Sequence, residues 1–485
     1  MIIAAPRFQF RSVITVLGVL ALDVAAQSND PREIPIPPIV TPLAKLPGPA
    51  ALPERRELPD VLVRNDGTRV TTRSDWPARR AEILRTLEYY AVGQAPPAPG
   101  NVRGRVVKEQ PLADGKFTYR LVHLTFGPAE NLSLDVGIFT PAGPGPFPVV
   151  IAPTGTPPGA TPLPRLPNGP TQGRGVNVLY VVGGGEPNVA SASNAAVGGD
   201  PKLAPAASTP AKSGGRGGPV DPERLAATNA ALARGYAYVI FNNNDCGEDT
   251  TLRNSDGSWA FRTTRFFPAY PGYDWGLLRS WAWGVSRIVD YLITDPAIDR
   301  ARIIITGASR TGKSAMVAAA FDDRIALGAP VVTGGGGVGA FRFAGPRRSE
   351  TLDVMVTKYP NWFSPHLHGF RGQREKLPFD QHWFLAACAP RAFIALEGDA
   401  DTISLPEAVR QSILGAKPAY ALFDATHRLG VNYAPHGHTF NADDWSALLD
   451  FADRHLGGKP ITRRFDRYPT EAELDAALAR PPAAK

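Results

Sequence analysis

IIITGASRTGKSAMVAAA, residues 303–320, carries two catalytic patterns at once. Gly307, Gly312, Lys313 and Ser314 fall at the spacing of a phosphate-cradling loop, while Gly307-Ala308-Ser309 begins the sharp strand-to-helix turn that exposes a serine nucleophile. Both patterns need a buried strand before the turn and a helix after it. The isoleucine run and the alanine-rich tail supply them.

The surroundings separate the two readings. A phosphate-binding loop usually opens its sheet, but at least six predicted strands precede this one. It also requires a magnesium-holding aspartate at the end of an apolar strand, and the next strand ends in VVTGGGG. The nucleotide reading is therefore set aside as a chance match, and Ser309 is read as the nucleophile. Its motif is irregular, since Thr311 stands where the Gly-x-Ser-x-Gly pattern has glycine.

Order along the chain adds what the short motif lacks. Beyond Ser309 comes the strand PRAFIALEG with Asp399 and Asp401 just past its end, then YAPHGHTFNADDW with His436 and His438 before a closing helix. Serine, acid, histidine is the order in which this architecture assembles a triad. A histidine is needed because the base must accept a proton near neutrality and return it to the leaving group. The acid fixes the imidazole tautomer and stabilises the imidazolium.

The wider pattern agrees. VRGRVVKEQ and FTYRLVHLTF alternate as strands do, and LSLDVGIFTPAGPGPFPVVIAPTG reads as two strands across a Pro/Gly turn. ERLAATNAALARG predicts a helix before the strand YAYVIFNN, and LLRSWAWGVSRIVDYLI a long helix before ARIIITG. ALGAPVVTG and PRAFIALEG are further strands, EAVRQSILGAKPAYALF a helix with its return strand, and DDWSALLDFADRHL the closing helix. WPARRAEILRTLEYYAVG has helical spacing, and VNVLYVVGG reads as a strand within a Gly/Pro/Ala-rich stretch over 158–225. Buried strands alternating with helices define an α/β fold of the α/β-hydrolase kind, a mostly parallel central sheet covered by helices on both faces.

The chain has 485 residues, 43% hydrophobic and 20% charged, which excludes disorder as its general state. Residues 1–26 set Arg7 and Arg11 before the apolar run SVITVLGVLAL and offer small residues for cleavage after Ala26, as a secretory signal does. Residues 27–57 are a Pro-rich tether or wrapping arm, 58–470 a single catalytic domain with loop insertions, and 471–485 a C-terminal tail. Loss of the signal leaves a charge balance of +6 without a basic cluster, so no nucleic-acid partner is expected. Cys246 and Cys388, its two cysteines, could pair in an oxidising compartment but make no metal cluster.

The chain resembles the glucuronoyl esterases of carbohydrate esterase family 15 over most of residues 60–456. Besides GASRTGKSA, the likeness is carried by GYDWGLLRSWAWGVSRIVDYL, GGGGVGAFR, YPNWF, LPFDQHWFLAACAPRAFIALEG and HGHTFNADDW, in that order. It implies cleavage of esters joining glucuronic or 4-O-methylglucuronic acid side groups of xylan to lignin alcohols. It implies Ser309 as nucleophile, and Arg310, with its own N–H, facing the oxyanion. Lys313 and Glu350 correspond to residues that bind sugar hydroxyls. The Gly-x-His pattern aligns with His436, taken as the base, with His438 the alternative.

Departures from the family matter too. Many members carry the triad acid as glutamate after the strand that follows the serine, where this chain has Val332. The resemblance then implies an acid after the later strand, as in some bacterial members, at Asp401, because the family pattern places its aspartate four residues past the strand-terminal Glu397; Asp399 is the alternative. Fungal members follow that aspartate with a tryptophan platform for the sugar; here Thr402 follows. Ala308 replaces a cysteine of fungal members, so the likeness is greater to bacterial ones. The expectation is a secreted or periplasmic serine esterase without metal or cofactor, acting on glucuronoxylan or a lignin–carbohydrate ester, and binding neither nucleotide nor membrane after processing. An acetyl xylan esterase, or a carbohydrate-binding protein with an impaired site, are the other readings.

Overall fold

The computed structural model describes residues 45–167, 221–343 and 350–480. Nine strands form one sheet: β1 (Arg103–Leu112), β2 (Phe117–Phe126), β3 (Leu132–Pro141), β4 (Phe147–Ala152), β5 (Ala237–Phe241), β6 (Ile298–Ala308), β7 (Ile325–Val331), β8 (Ala392–Gly398) and β9 (Leu429–Ala434). Their order is β1-β2-β3-β5-β4-β6-β7-β8-β9. The pairs β1–β2, β2–β3 and β3–β5 are antiparallel, and those from β5 through β4 to β9 are parallel. The helices are α1 (Trp76–Thr86), α2 (Pro222–Thr228), α3 (Ala230–Ala233), α4 (Leu277–Leu292), α5 (Arg310–Phe321), α6 (Leu352–Lys358), α7 (His382–Cys388), α8 (Pro406–Ala421), α9 (Ala442–His455) and α10 (Glu471–Ala479).

The isoleucine run shows why these strands sit centrally. Successive side chains of a strand point to opposite faces. Ile303 and Ile305 enter one apolar cluster with Trp281, Met316 and Phe384, while Ile304 enters the other with Tyr238 and Trp445. Val149 and Ile151 divide from Val150 in the same way. A strand that loses both faces to apolar clusters must be apolar where they cover it, as β4, β5 and the Ile303–Ile305 run of β6 are. The first cluster draws on α1, α4, α5, α7 and α8, and the second on α3 and α9. This is a mixed, mostly parallel sheet flanked by helices, the α/β-hydrolase-like fold that the sequence predicts.

Local departures have physical causes. The helix expected over ERLAATNAALARG breaks at Asn229, whose extended backbone ends α2 while its side chain caps α3 by accepting from the N–H groups of Ala231 and Leu232. No return strand follows α8. The helix runs through Pro418 to Ala421, with Ala416, Ala419 and Tyr420 buried, and the return strand is β9, LGVNYA. Part of the expected tail forms α10 behind a Thr470/Glu473 capping box. The expected strand VNVLYVVGG and the N-terminal signal lie outside the described residues. From Lys45 the Pro-rich arm lies against the body: Tyr90 donates to the Pro47 carbonyl at 2.6 Å, and the Arg55 N–H to Glu375 at 2.8 Å. Cys246 and Cys388 are both buried and unpaired, so the chain does not make the disulfide considered above.

Candidate active site

Because β6, β7, β8 and β9 are parallel, Ser309, Val332, Asp401 and the His436–His438 turn emerge at one end of the sheet. That carboxyl end is where ligands bind in open α/β sheets. Hydrogen bonds join the emerging segments. The Ser309 N–H donates to Val331 at 2.9 Å, Val332 to Leu396 at 2.8 Å, Asp399 to Ala434 at 3.0 Å and Ala400 to His436 at 3.1 Å.

Ser309 has φ 55° and ψ −123°, a conformation that L-residues avoid, and α5 begins at the next residue. The turn has the backbone shape that a nucleophile elbow requires. In a phosphate loop residues 308–312 would wrap around an anion, but here Arg310 onward is already helical, and Lys313 is 1% exposed and donates to Glu350 and Thr333. The irregular glycine spacing also resolves. A Cβ on Gly312 would lie 2.6 Å from the Gly307 oxygen and 3.0 Å from the Val331 oxygen, so Gly312 gives the close helix–strand approach one position late. Thr311 instead turns its hydroxyl back to accept from the Ala308 N–H at 3.0 Å.

The acid and histidine pairing differs from the one expected. Asp401, buried and anchored by the Ile403 N–H at 2.8 Å, meets Nδ1 of His438 at 2.9 Å. His436 turns the other way. Its Nε2 lies 3.0 Å and 3.1 Å from the two oxygens of Asp444, and its Nδ1 bonds the Gly437 carbonyl at 2.8 Å. With both nitrogens engaged, His436 has no site left for a serine proton, and Asp401 holds the neighbouring histidine. Burial opposes the imidazolium of His436, but the hydrogen bond and charge of Asp444, then the Gly437 carbonyl and Asp401, push its pKa up to about 9. Asp399 is paired to Arg480 and takes no part.

Asp444 escaped the sequence reading, although Asn441 three residues before it is a signal. The two form a capping box at the start of α9, which places the Asp444 carboxylate beside the histidine turn. Gly398 makes room for that turn, since a Cβ there would lie 2.4 Å from the His436 oxygen. Val332 is fully buried at φ 42°, an uncommon backbone for a β-branched residue, and joins the apolar cluster of the second sheet face.

Lys313 and Glu350 do converge, with Nζ and carboxylate 3.0 Å apart. Arg310 pairs with Asp249, and its guanidinium lies 5.1 Å from the ring centre of Trp362, with the Lys313 ammonium 5.6 Å from the same ring. Trp362 is buried and covered by Tyr359, stacked at 4.1 Å and 16°. Tyr359 remains partly exposed. Burial, and after it the nearby Glu350, raise its phenol pKa, with Arg310 pulling the other way. YPNWF is legible in the sequence, but that its aromatics form the wall beside Arg310 and Lys313 is not.

A serine elbow, a helix N-terminus behind it and an aspartate–histidine pair at the same sheet end define the hydrolase class to which this site corresponds. Residues 220–424 match the family described as glucuronyl esterase of fungi. The carbohydrate esterase MZ0003, from an unknown prokaryotic organism, is 30% identical over 47% of this chain and 55% of its own length. The 4-O-methyl-glucuronoyl methylesterase of Neurospora crassa is 27% identical over 82% of each chain. A promiscuous CE15 esterase from a marine bacterial metagenome superposes with TM-score 0.62 and 25% identity, over 84% of this chain and 99% of that one. The chain is thus homologous to the glucuronoyl esterases of carbohydrate esterase family 15, and the likeness extends to fungal and bacterial members rather than to a bacterial type in particular. That homology supports a carboxylic ester hydrolase of this general kind. No helix among the described residues is long and apolar enough to cross a membrane.

Proposed function

We propose that the chain is a secreted or periplasmic serine esterase that cleaves the ester between (4-O-methyl-)glucuronic acid side groups of xylan and lignin alcohols. The observation that carries this reading is the Asp401–His438 pair at the sheet end where Ser309 stands on its strained turn. With Nδ1 held by Asp401, His438 presents Nε2 as the nitrogen that takes the Ser309 proton. The serine oxygen then attacks the uronate carbonyl. Arg310 and backbone N–H groups at the start of α5 stabilise the oxyanion, which exists only in and near the transition state. His438 returns the proton to the departing alcohol, and water resolves the glucuronoyl-serine by the same route. His436 is not the base in this scheme. It holds the turn on which the base is carried.

Lys313 and Glu350 supply convergent polar groups for sugar hydroxyls, and a site built on such bonds rejects substrates that lack them. Tyr359 offers an aromatic surface that Thr402 does not. The impaired-site reading rests on Val332, and against it stands the Asp401 carboxylate, which engages His438 rather than His436. Purified protein should hydrolyse benzyl glucuronate in preference to an acetylated xylan fragment, and Ser309→Ala should abolish the release. Asp401→Asn should reduce it on the order of 10⁴-fold by disfavouring the productive tautomer. Turnover of the acetyl ester alone would replace the glucuronate reading with the acetyl xylan one.

A further inference from the structure

The Arg310 guanidinium does not stand free at the site. Its Nη1 is held by Oδ2 of Asp249, a side chain 8% exposed, on the loop between β5 and α4. The other oxygen of the same carboxylate accepts from Trp362 Nε1 at 2.8 Å and from Asn361 Nδ2 at 3.3 Å. The Asp249 N–H is fixed in turn by the Asn244 side chain at 3.0 Å. Two distant stretches of chain, Arg310 and Asn361–Trp362, therefore meet on one carboxylate, and the Trp362 ring that it orients is the one beside which the guanidinium lies.

We infer that Asp249 is a positioning residue that aims Arg310 at the oxyanion and partly neutralises it, so that the arginine serves the transition state without retaining the product. The inference rests on the ester hydrolase reading. Hydrolysis breaks the acyl–oxygen bond of a neutral ester, gives the alcohol a proton and leaves the acyl group as a carboxylate beside Arg310. An unpaired guanidinium binds a carboxylate through two parallel hydrogen bonds. With one N–H of Nη1 given to Asp249 and that carboxylate's charge beside the guanidinium, the carboxylate product meets a partly neutralised arginine and a like charge, while the remaining donors still serve the charge that the transition state concentrates on one oxygen.

The test is Asp249→Asn, which keeps an acceptor and removes the charge, with Asp249→Glu as the charge-retaining control. Initial rates on benzyl glucuronate and on 4-nitrophenyl acetate are measured, together with inhibition by free glucuronate or acetate. Asp249→Asn should lower kcat about tenfold with KM for the neutral ester nearly unchanged, and should make the carboxylate product inhibit about tenfold more strongly, as expected when one charge-assisted contact is released to the ligand. Asp249→Glu should recover parent-like inhibition. Rates and inhibition constants within twofold of the parent would overturn the inference. So would a rate loss that accompanies a lower Tm with inhibition unchanged, because that marks a folding role. Should Asp249→Asn fail to fold, Trp362→Phe removes one donor to the carboxylate and is read the same way, with a smaller change in the same direction. A parent that turns over only 4-nitrophenyl acetate defeats the glucuronate reading, and the inference is then decided on acetate rates with acetate as inhibitor.

Discussion

Asp401 holds His438 through Nδ1 at 2.9 Å, and the residue two places earlier, His436, is held just as firmly by a different acid. The two aspartate–histidine pairs on one turn thus differ: among the described residues His436 is bonded through both ring nitrogens and His438 through Nδ1. His438→Asn should lower kcat by at least about 10⁴-fold, as loss of a triad base does, with protein of parent-like Tm. His436→Asn should keep a measurable fraction of kcat while lowering stability by about 3 kcal/mol, the scale for breaking a buried pair. Kinetics and thermal melts of the two variants, made side by side, check the assignment. Equal loss of kcat at parent-like stability in both would defeat it.

The difference between these histidines could not be read from YAPHGHTFNADDW. Both sit two or fewer residues from a glycine, and their roles depend on which carboxylate lies across the turn: Asp401 from the end of β8, or Asp444 from the cap of α9. By contrast the strand-to-helix turn at Ser309, the central strands and the place of Asp401 just past β8 are legible, because each leaves a local mark in period, turn chemistry or position after a strand. The α8 return strand was misread for a related reason. PAYALF is a short apolar run that periodicity cannot assign, and packing of Ala416, Ala419 and Tyr420 into the helical layer decides it. Asp249 leaves no mark at all, since its meaning lies in residues 61 and 113 positions away.

Ser309 adopts a backbone that glycine accepts freely and serine does not. Ser309→Gly should therefore abolish turnover and at the same time raise stability by about 1 kcal/mol, the lower end of the strain held at such positions. Chemical denaturation beside Ser309→Ala separates the two effects, since alanine keeps the strain and should gain nothing of that size. A Gly variant no more stable than the Ala variant would show that the turn is unstrained.

The pKa of His436, raised from 6.5 to about 9 in the fold, ties stability to pH. A group whose folded pKa lies above its unfolded value stabilises the fold fully below the unfolded pKa and loses that contribution as pH rises through the folded one. Between about pH 6.5 and 9 the His436–Asp444 pair should thus lose on the order of 3 kcal/mol. Denaturation midpoints of the parent should fall across this window, and those of His436→Gln should fall distinctly less. Parallel pH profiles would place the titrating group elsewhere.

Glu397 gives a second, lower window. It ends β8 fully buried, and no hydrogen bond of good geometry reaches either carboxyl oxygen among the described residues, although the Ser404 hydroxyl lies close enough to favour its charge. Burial, then the charges of Asp401 and Asp444, outweigh Ser404 and His436 and push its pKa from 4.5 up to about 8. The unfolded chain releases this proton above pH 4.5 while the fold retains it, so folding is increasingly penalised from pH 4.5 to 8. Glu397→Gln keeps the shape and never ionises. It should match the parent near pH 4 and exceed its stability by a few kcal/mol near pH 8, the order set by a shift of this size. Melts of both proteins from pH 4 to 8 check this, and a gain independent of pH would mean that Glu397 is already ionised in the fold.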